Sequence, residues 1–146
     1  MDAKHEGNVL VVDDDRNAVD ILNRLLTKEG FVVQCAHGGR EALTLANAHP
    51  IDVILLDVMM PDMDGFQVCE ALRQNDRTRE IPIILLTAKD DMETRVVGMR
   101  LGVSEFLTKP INKVELFARV RAQVHQRSVA HGMDDILTTE PPTPRP

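Results

Sequence analysis

Five short apolar runs alternate with five segments of helical periodicity, and that alternation leaves few folds open. The runs are "NVLVV" (Asn8 to Val12), "FVVQCA" (Phe31 to Ala36), "DVILL" (Asp52 to Leu56), "IPIILLT" (Ile81 to Thr87) and "EFLT" (Glu105 to Thr108). Rich in Val, Ile and Leu and without polar alternation, they suit strands buried on both faces. Between them, Ala18, Ile21, Leu22, Leu25 and Leu26 recur at helical spacing, and Gly30 stops that helix. A second helix runs from Glu41 to Ala48 with Ala42, Leu45 and Ala46 inward. Asp64 caps a third that carries Phe66, Val68, Cys69 and Leu72. A fourth spans about Asp91 to Leu101, and a fifth about Asn112 to Gln126, with Leu116, Phe117, Val120 and Val124 on one stripe. Strands and helices in strict alternation predict an α/β fold, a doubly wound five-stranded parallel sheet with helices on both faces.

Residues 1–127 account for this pattern. Beyond about Arg127 the reading finds no apolar period, and four of the last six residues are proline. Residues 128–146 are therefore expected to be a flexible tail or the start of a linker.

Composition excludes several function classes. No apolar run approaches the roughly 20 residues needed to span a bilayer, and the polar start "MDAKHEGN" is not a secretory signal. A cytoplasmic protein without membrane association is expected. A net charge of −6 argues against direct nucleic-acid binding. Trp and Tyr are absent, so base-stacking platforms and aromatic ligand cages are excluded as well. Cys35 and Cys69 show no CxxC pattern, and the five histidines are scattered, which disfavours a disulfide framework or zinc.

In an open α/β sheet, ligands bind beyond the carboxyl ends of the strands. The residues expected there are Asp13, Asp14 and Asp15 after the first strand, Asp57 after the third, Thr87 ending the fourth, and Lys109-Pro110 after the fifth. Asp15 reads as the cap of the following helix, and Asp62 and Asp64 as turn and cap residues. The remaining acids call for a cation, because two carboxylates about 4 Å apart repel by about 4 kcal/mol at an effective dielectric near 20. Mg²⁺ suits a few carboxylates completed by water and phosphate. A carboxylate beside such an ion can be a nucleophile toward a phosphoryl group. Asp57 is the candidate acceptor, Asp13 and Asp14 the metal holders, and Thr87 and Lys109 the groups facing the phosphoryl oxygens.

"VLVVDDD", "VILLDVMMPDMDG", "IPIILLTA" and "FLTKP" together resemble the receiver domain of two-component response regulators, chemotaxis-regulator-like, over about Asn8 to Gln126. The resemblance implies the flavodoxin-like strand order 2-1-3-4-5. It implies Asp57 as phosphoacceptor and Asp13, Asp14 and Asp57 around Mg²⁺, with the Met59 backbone carbonyl as a further ligand. It further implies Thr87 as a switch hydroxyl beside a small Ala88, Phe106 as an aromatic switch, and a cis bond at Lys109-Pro110. Met59 and Lys89 stand where the family tunes phosphoryl lifetime, and an apolar Met59 implies slow self-hydrolysis. The implied protein is no enzyme but a regulatory phosphoacceptor. Its implied partners are a sensor histidine kinase or histidine phosphotransfer protein, an output domain beyond the tail, and a homodimer through the fourth helix, fifth strand and fifth helix. Arg95, Arg100, Lys113, Glu115 and Arg119 supply charge on that face.

Three rival readings fit less well. A haloacid-dehalogenase-type phosphatase needs a second Asp where Met59 stands, and a flavodoxin-like electron carrier needs a hydroxyl-rich loop and aromatics. A degenerate receiver, acting as a phosphorylation-independent interaction module, would lack one of the site residues.

Overall fold

The computed structural model describes the backbone of residues 5–88 and 91–139, and the side chains of these residues up to 127. Five strands, β1 (Asn8–Val12), β2 (Val32–Ala36), β3 (Val53–Asp57), β4 (Ile83–Thr87) and β5 (Glu105–Thr108), alternate with helices α1 (Arg16–Lys28), α2 (Gly39–Ala48), α3 (Gly65–Arg73), α4 (Met92–Arg100) and α5 (Lys113–Thr139). All strand pairs are parallel, in the order β2-β1-β3-β4-β5. The expected fold class and strand order are both present.

Alternation along each strand builds two cores. Leu10, Val12, Ile54, Leu56, Ile83 and Leu85 face one way, against Ala42 and Ala46 of α2 and Val68 and Leu72 of α3. Val9, Val11, Val53, Leu55, Ile84 and Leu86 face the other, against Val19, Leu22 and Leu26 of α1 and Leu116 and Val120 of α5. Every residue of β3 and β4 is buried. No helix among the described residues is long and apolar enough to cross a membrane.

Local chemistry sets the helix ends that matter for the site. Asp15 caps α1, its carboxylate accepting from the Asn17 and Ala18 amides. Asp64 and Gln67 form a reciprocal capping box at the start of α3. Asp91 caps α4 through the Thr94 amide and hydroxyl.

Ile21, one of the positions at helical spacing, is 57% exposed, and α1 buries Val19, Leu22 and Leu26. One expectation is corrected. The last helix does not end near Gln126 but continues to Thr139. Val129, Met133, Ile136 and Leu137 recur at three- and four-residue intervals, and no proline follows until Pro141. Gly132 costs a helix only about 1 kcal/mol, so the prolines from Pro141 onward do not stop the helix before Thr139. Residues 140–146 of the expected tail lie outside the described residues.

Candidate functional site

The strand order places β1 and β3 side by side at the middle of the sheet, so their carboxyl ends deliver acids to one point. Asp13 is 1% and Asp57 5% exposed, whereas Asp14 is open to solvent. One carboxylate oxygen from each of Asp13, Asp14 and Asp57 lies within 4.8 Å of the others. Asp13 is held in place by the Asp15 amide, which donates to its Oδ1 at 3.0 Å. Lys109 crosses from the end of β5: its Nζ donates to Asp57 Oδ1 at 2.8 Å and to Asp13 Oδ2 at 3.4 Å. The Lys109-Pro110 peptide is cis, as expected.

Burial pushes the Asp57 carboxyl above the ordinary aspartate range; the Lys109 hydrogen bond opposes this, and the charges of Asp13 and Asp14 add to it. Burial alone would lower the Lys109 ammonium, but the Asp57 hydrogen bond and the charges of Asp57 and Asp13 outweigh it and raise it. The site thus carries more negative charge than one ammonium offsets.

Asp13, Asp14, Asp57, Met59, Thr87, Ala88 and Lys109 line one cleft of about 570 Å³. Thr87 is 2% exposed, and its Oγ1 is buried without a hydrogen-bond partner among the described residues. A buried orphan hydroxyl costs on the order of 1–3 kcal/mol, so its place on the wall of an acidic cleft points to a ligand oxygen. Two unlike requirements therefore meet in one cleft: surplus acid that a divalent cation would neutralise, and hydroxyl and ammonium donors that an anion would satisfy. Three carboxylates with no His or Cys fit a hard, oxygen-liking ion such as Mg²⁺.

The cleft floor depends on glycine. A Cβ at Gly65 would stand 2.6 Å from the Asp57 carbonyl oxygen and 2.9 Å from Val58 Cα, so the β3–α3 loop closes only over a bare backbone. The Gly65 amide donates to the Val58 carbonyl at 2.9 Å. Asp62 takes the turn at φ 67°, a conformation Asp tolerates. Met59 is 79% exposed at the rim.

Phe106 lies outside the cleft. It is half-buried against the core on the α4 side. Arg95, expected as charge on the outer face of the fourth helix, also lays its guanidinium over the Phe106 ring, 5.1 Å from the centroid. Asp91, Thr94 and Leu86, which also line the cleft, were not singled out. They carry no pattern that marks them before the fold is known. Lys89 lies outside the described residues. The free thiols Cys35 and Cys69 are half-buried and buried, away from the acids.

Comparison with known proteins agrees with this geometry. The sequence model of the response regulator receiver domain matches residues 9–121. Response regulator PleD of Caulobacter vibrioides is 50% identical over 114 residues, which are 78% of this chain and 25% of PleD. The chain thus spans about a quarter of the length of that curated relative. Among solved structures, a putative response regulator from Chloroflexus aurantiacus superposes with TM-score 0.78 at 33% identity, covering 82% of this chain and 98% of that one. Chemotaxis protein CheY4 of Vibrio cholerae gives 0.76 at 34% identity, covering 80% and 97%. With an acid cluster, a lysine and a hydroxyl assembled on a 2-1-3-4-5 sheet, the chain belongs to the receiver domains of two-component response regulators, a family of regulatory domains.

Proposed function

We propose that this receiver accepts a phosphoryl group on Asp57 from a phosphohistidine of a sensor kinase or phosphotransfer protein. The observation that carries this reading is the buried, unpartnered hydroxyl of Thr87, a residue that lines one cleft with Asp57 and Lys109. An Asp57 oxygen attacks phosphorus, the donor's P–N bond breaks, and the imidazole leaves with the N–P electron pair. A proton then restores the neutral ring. Asp13, Asp14 and Asp57, with the Met59 carbonyl, would hold Mg²⁺, which supplies charge neutralisation for the incoming oxygens. Lys109 releases part of its bond to Asp57 and takes a phosphoryl oxygen, and Thr87 donates to another.

Closure of Thr87 draws the end of β4 toward the acceptor, and Phe106 turns toward the space left behind. The surface of α4, β5 and α5 is the proposed output face, toward an effector or a second copy. Residues beyond the described helix, rich in proline, are proposed as linker toward an output domain, and the setting as cytoplasmic. Exposed Met59 offers no group to orient a hydrolytic water, which supports slow self-hydrolysis.

Intact mass after incubation with acetyl phosphate tests this, with Mg²⁺ or EDTA, on the wild type and Asp57→Asn. A single Mg²⁺-dependent adduct absent from the variant is expected. A folded wild type that gains no adduct sinks the phosphotransfer reading and leaves a phosphorylation-independent interaction module.

A further inference from the structure

Parity along β4 and β5 puts four side chains under α4. Leu85 faces the α4-side core, so Thr87 shares its face; Phe106 packs there too, and Thr108 with it. The register pairs Leu85 with Phe106 and Thr87 with Thr108. α4 meets this surface with its small residues, burying Thr94 and Gly98 while Met92, Val96 and Met99 face solvent. A Cβ at Gly98 would stand 3.0 Å from Phe106 Cε1 and 2.9 Å from Leu85 Cδ1, so the bare backbone at 98 is what lets the ring lie against the helix.

Arg95 closes this arrangement from above. Its guanidinium covers the face of the Phe106 ring at 5.1 Å from the centroid, and its Nη2 donates to Thr108 Oγ1 at 3.0 Å. One side chain of α4 therefore grips two residues of β5: the switch aromatic, and the strand partner of the switch hydroxyl. Both contacts occur in the arrangement whose Thr87 hydroxyl has no partner among the described residues, the resting one in the reading above; a ring turning toward Thr87 would give up the guanidinium, and a shift of β5 with it would stretch the Thr108 bond.

We propose that Arg95 is a positioning residue, a latch that holds Phe106 and β5 in the resting state and so sets how strongly the phosphoryl site must pull to switch the domain. The inference rests on the Asp57–Thr87–Phe106 reading above. A ligand shifts such an equilibrium only by its differential affinity for the two states, so a contact made in the resting state alone weakens apparent affinity at the acceptor. A partly exposed cation–π contact and one hydrogen bond together amount to about a three- to tenfold effect.

Beryllofluoride with Mg²⁺, a stable mimic of an acyl phosphate, is the probe. Binding to the full chain is titrated for wild type, Arg95→Ala and Thr108→Val, and the phenylalanine ring signals are followed by NMR. Only four phenylalanines are present, with no Trp or Tyr, so the ring spectrum is simple. Arg95→Ala is expected to bind about three- to tenfold more tightly, with Thr108→Val between it and wild type. Without ligand, its Phe106 signals should already lie part-way toward their beryllofluoride-bound positions, which lost packing alone would not produce. Equal affinity and unmoved ring signals in a folded Arg95→Ala overturn the latch and leave the phosphoacceptor intact. A wild type that binds no beryllofluoride overturns the phosphoacceptor reading, and the latch with it.

Discussion

Lys109 Nζ sits 2.8 Å from Asp57 Oδ1, and its side chain is 40% exposed where that of Asp57 is 6%, so the residue that answers the buried acids is itself partly in water. Its second bond, to Asp13, is longer at 3.4 Å. The ammonium moderates the repulsion between the two buried acids, and nothing else among the described residues pairs with them as a cation.

Replacing the ammonium should therefore expose the acid cluster's strain. Removing one partner of a fully buried ion pair costs about 3–5 kcal/mol, and the exposure of Lys109 reduces this to about 1–2 kcal/mol. Lys109→Ala is expected to lower the unfolding free energy measured by urea titration in EDTA by that amount. Millimolar Mg²⁺ should recover most of it, since the ion replaces the lost positive charge. A deficit of the same size in Mg²⁺ would show that the cluster does not hold the ion.

The raised Asp57 carboxyl makes a signed prediction in metal-free solution. A carboxylate with a folded pKa above its unfolded value binds its proton more tightly when folded. Its contribution to stability is fully present below the unfolded pKa, near 3.9, and is lost as pH rises through the folded pKa. Asp91, depressed by its Thr94 hydrogen bonds, acts in the opposite direction, since its contribution is lost as pH falls. The difference between wild type and Asp57→Asn isolates the first effect. In EDTA, wild type should lose ground to the variant as pH increases from 4 toward neutrality; a pH-independent difference would mean that burial, with the charges of Asp13 and Asp14, does not raise this carboxyl.

Thr87→Val keeps the shape of the side chain and deletes a hydroxyl that has no partner in the resting structure. Resting stability should be unchanged or higher by about 1 kcal/mol. Phosphorylation by acetyl phosphate should still occur, because Asp57, Asp13 and Asp14 are untouched, but the Phe106 ring should no longer respond to it. Circular dichroism melts, intact mass and ring NMR check the three parts. A stability loss above 1 kcal/mol would mean that the hydroxyl is satisfied in the resting protein.

The acids were legible because they end apolar strands, and only a sheet edge can bring Asp13 and Asp57, 44 positions apart, within a few ångströms. Strand type follows from the same alternation, whereas the strand order followed only from the resemblance to receiver domains. The Arg95 contact was not legible, because an arginine on a helix reads as solvated charge until the parity of β5 and the smallness of Gly98 place an aromatic beneath it. The helix beyond Arg127 was missed because prolines at the far end outweighed a weak apolar period nearer the domain. Patterns dominated by burial are written in local sequence. Contacts chosen by two elements meeting are not.

Cys69 offers a probe of global opening. It is fully buried, and burial pushes its thiol up to about 12, whereas Cys35 is half-buried and is also raised, by burial first. Thiolate is the reactive form, so with a thiol reagent near pH 8 Cys35 should react slowly and Cys69 only when the domain unfolds. In a Cys35→Ser background the labelling rate should fall when Mg²⁺ and beryllofluoride stabilise the folded state. Labelling of Cys69 at a rate indifferent to ligand and denaturant would indicate local opening of α3 instead.

Gly65 tests whether backbone approach, rather than side chains alone, builds the acceptor. The added methyl of Gly65→Ala meets the Asp57 carbonyl and Val58 Cα, both backbone atoms that cannot swing aside, at 2.6 and 2.9 Å. Relief requires the start of α3 to retreat, which strains the 2.9 Å bond from the Gly65 amide to the Val58 carbonyl and moves the loop carrying Met59. Overpacking of this kind costs about 1–3 kcal/mol. Gly65→Ala should therefore fold with a lowered melting temperature and, in the folded fraction, phosphorylate more slowly and bind Mg²⁺ more weakly, since Met59 would supply a ligand. Normal Mg²⁺ affinity in a destabilised Gly65→Ala would separate the two effects and take the Met59 carbonyl out of the proposed metal site.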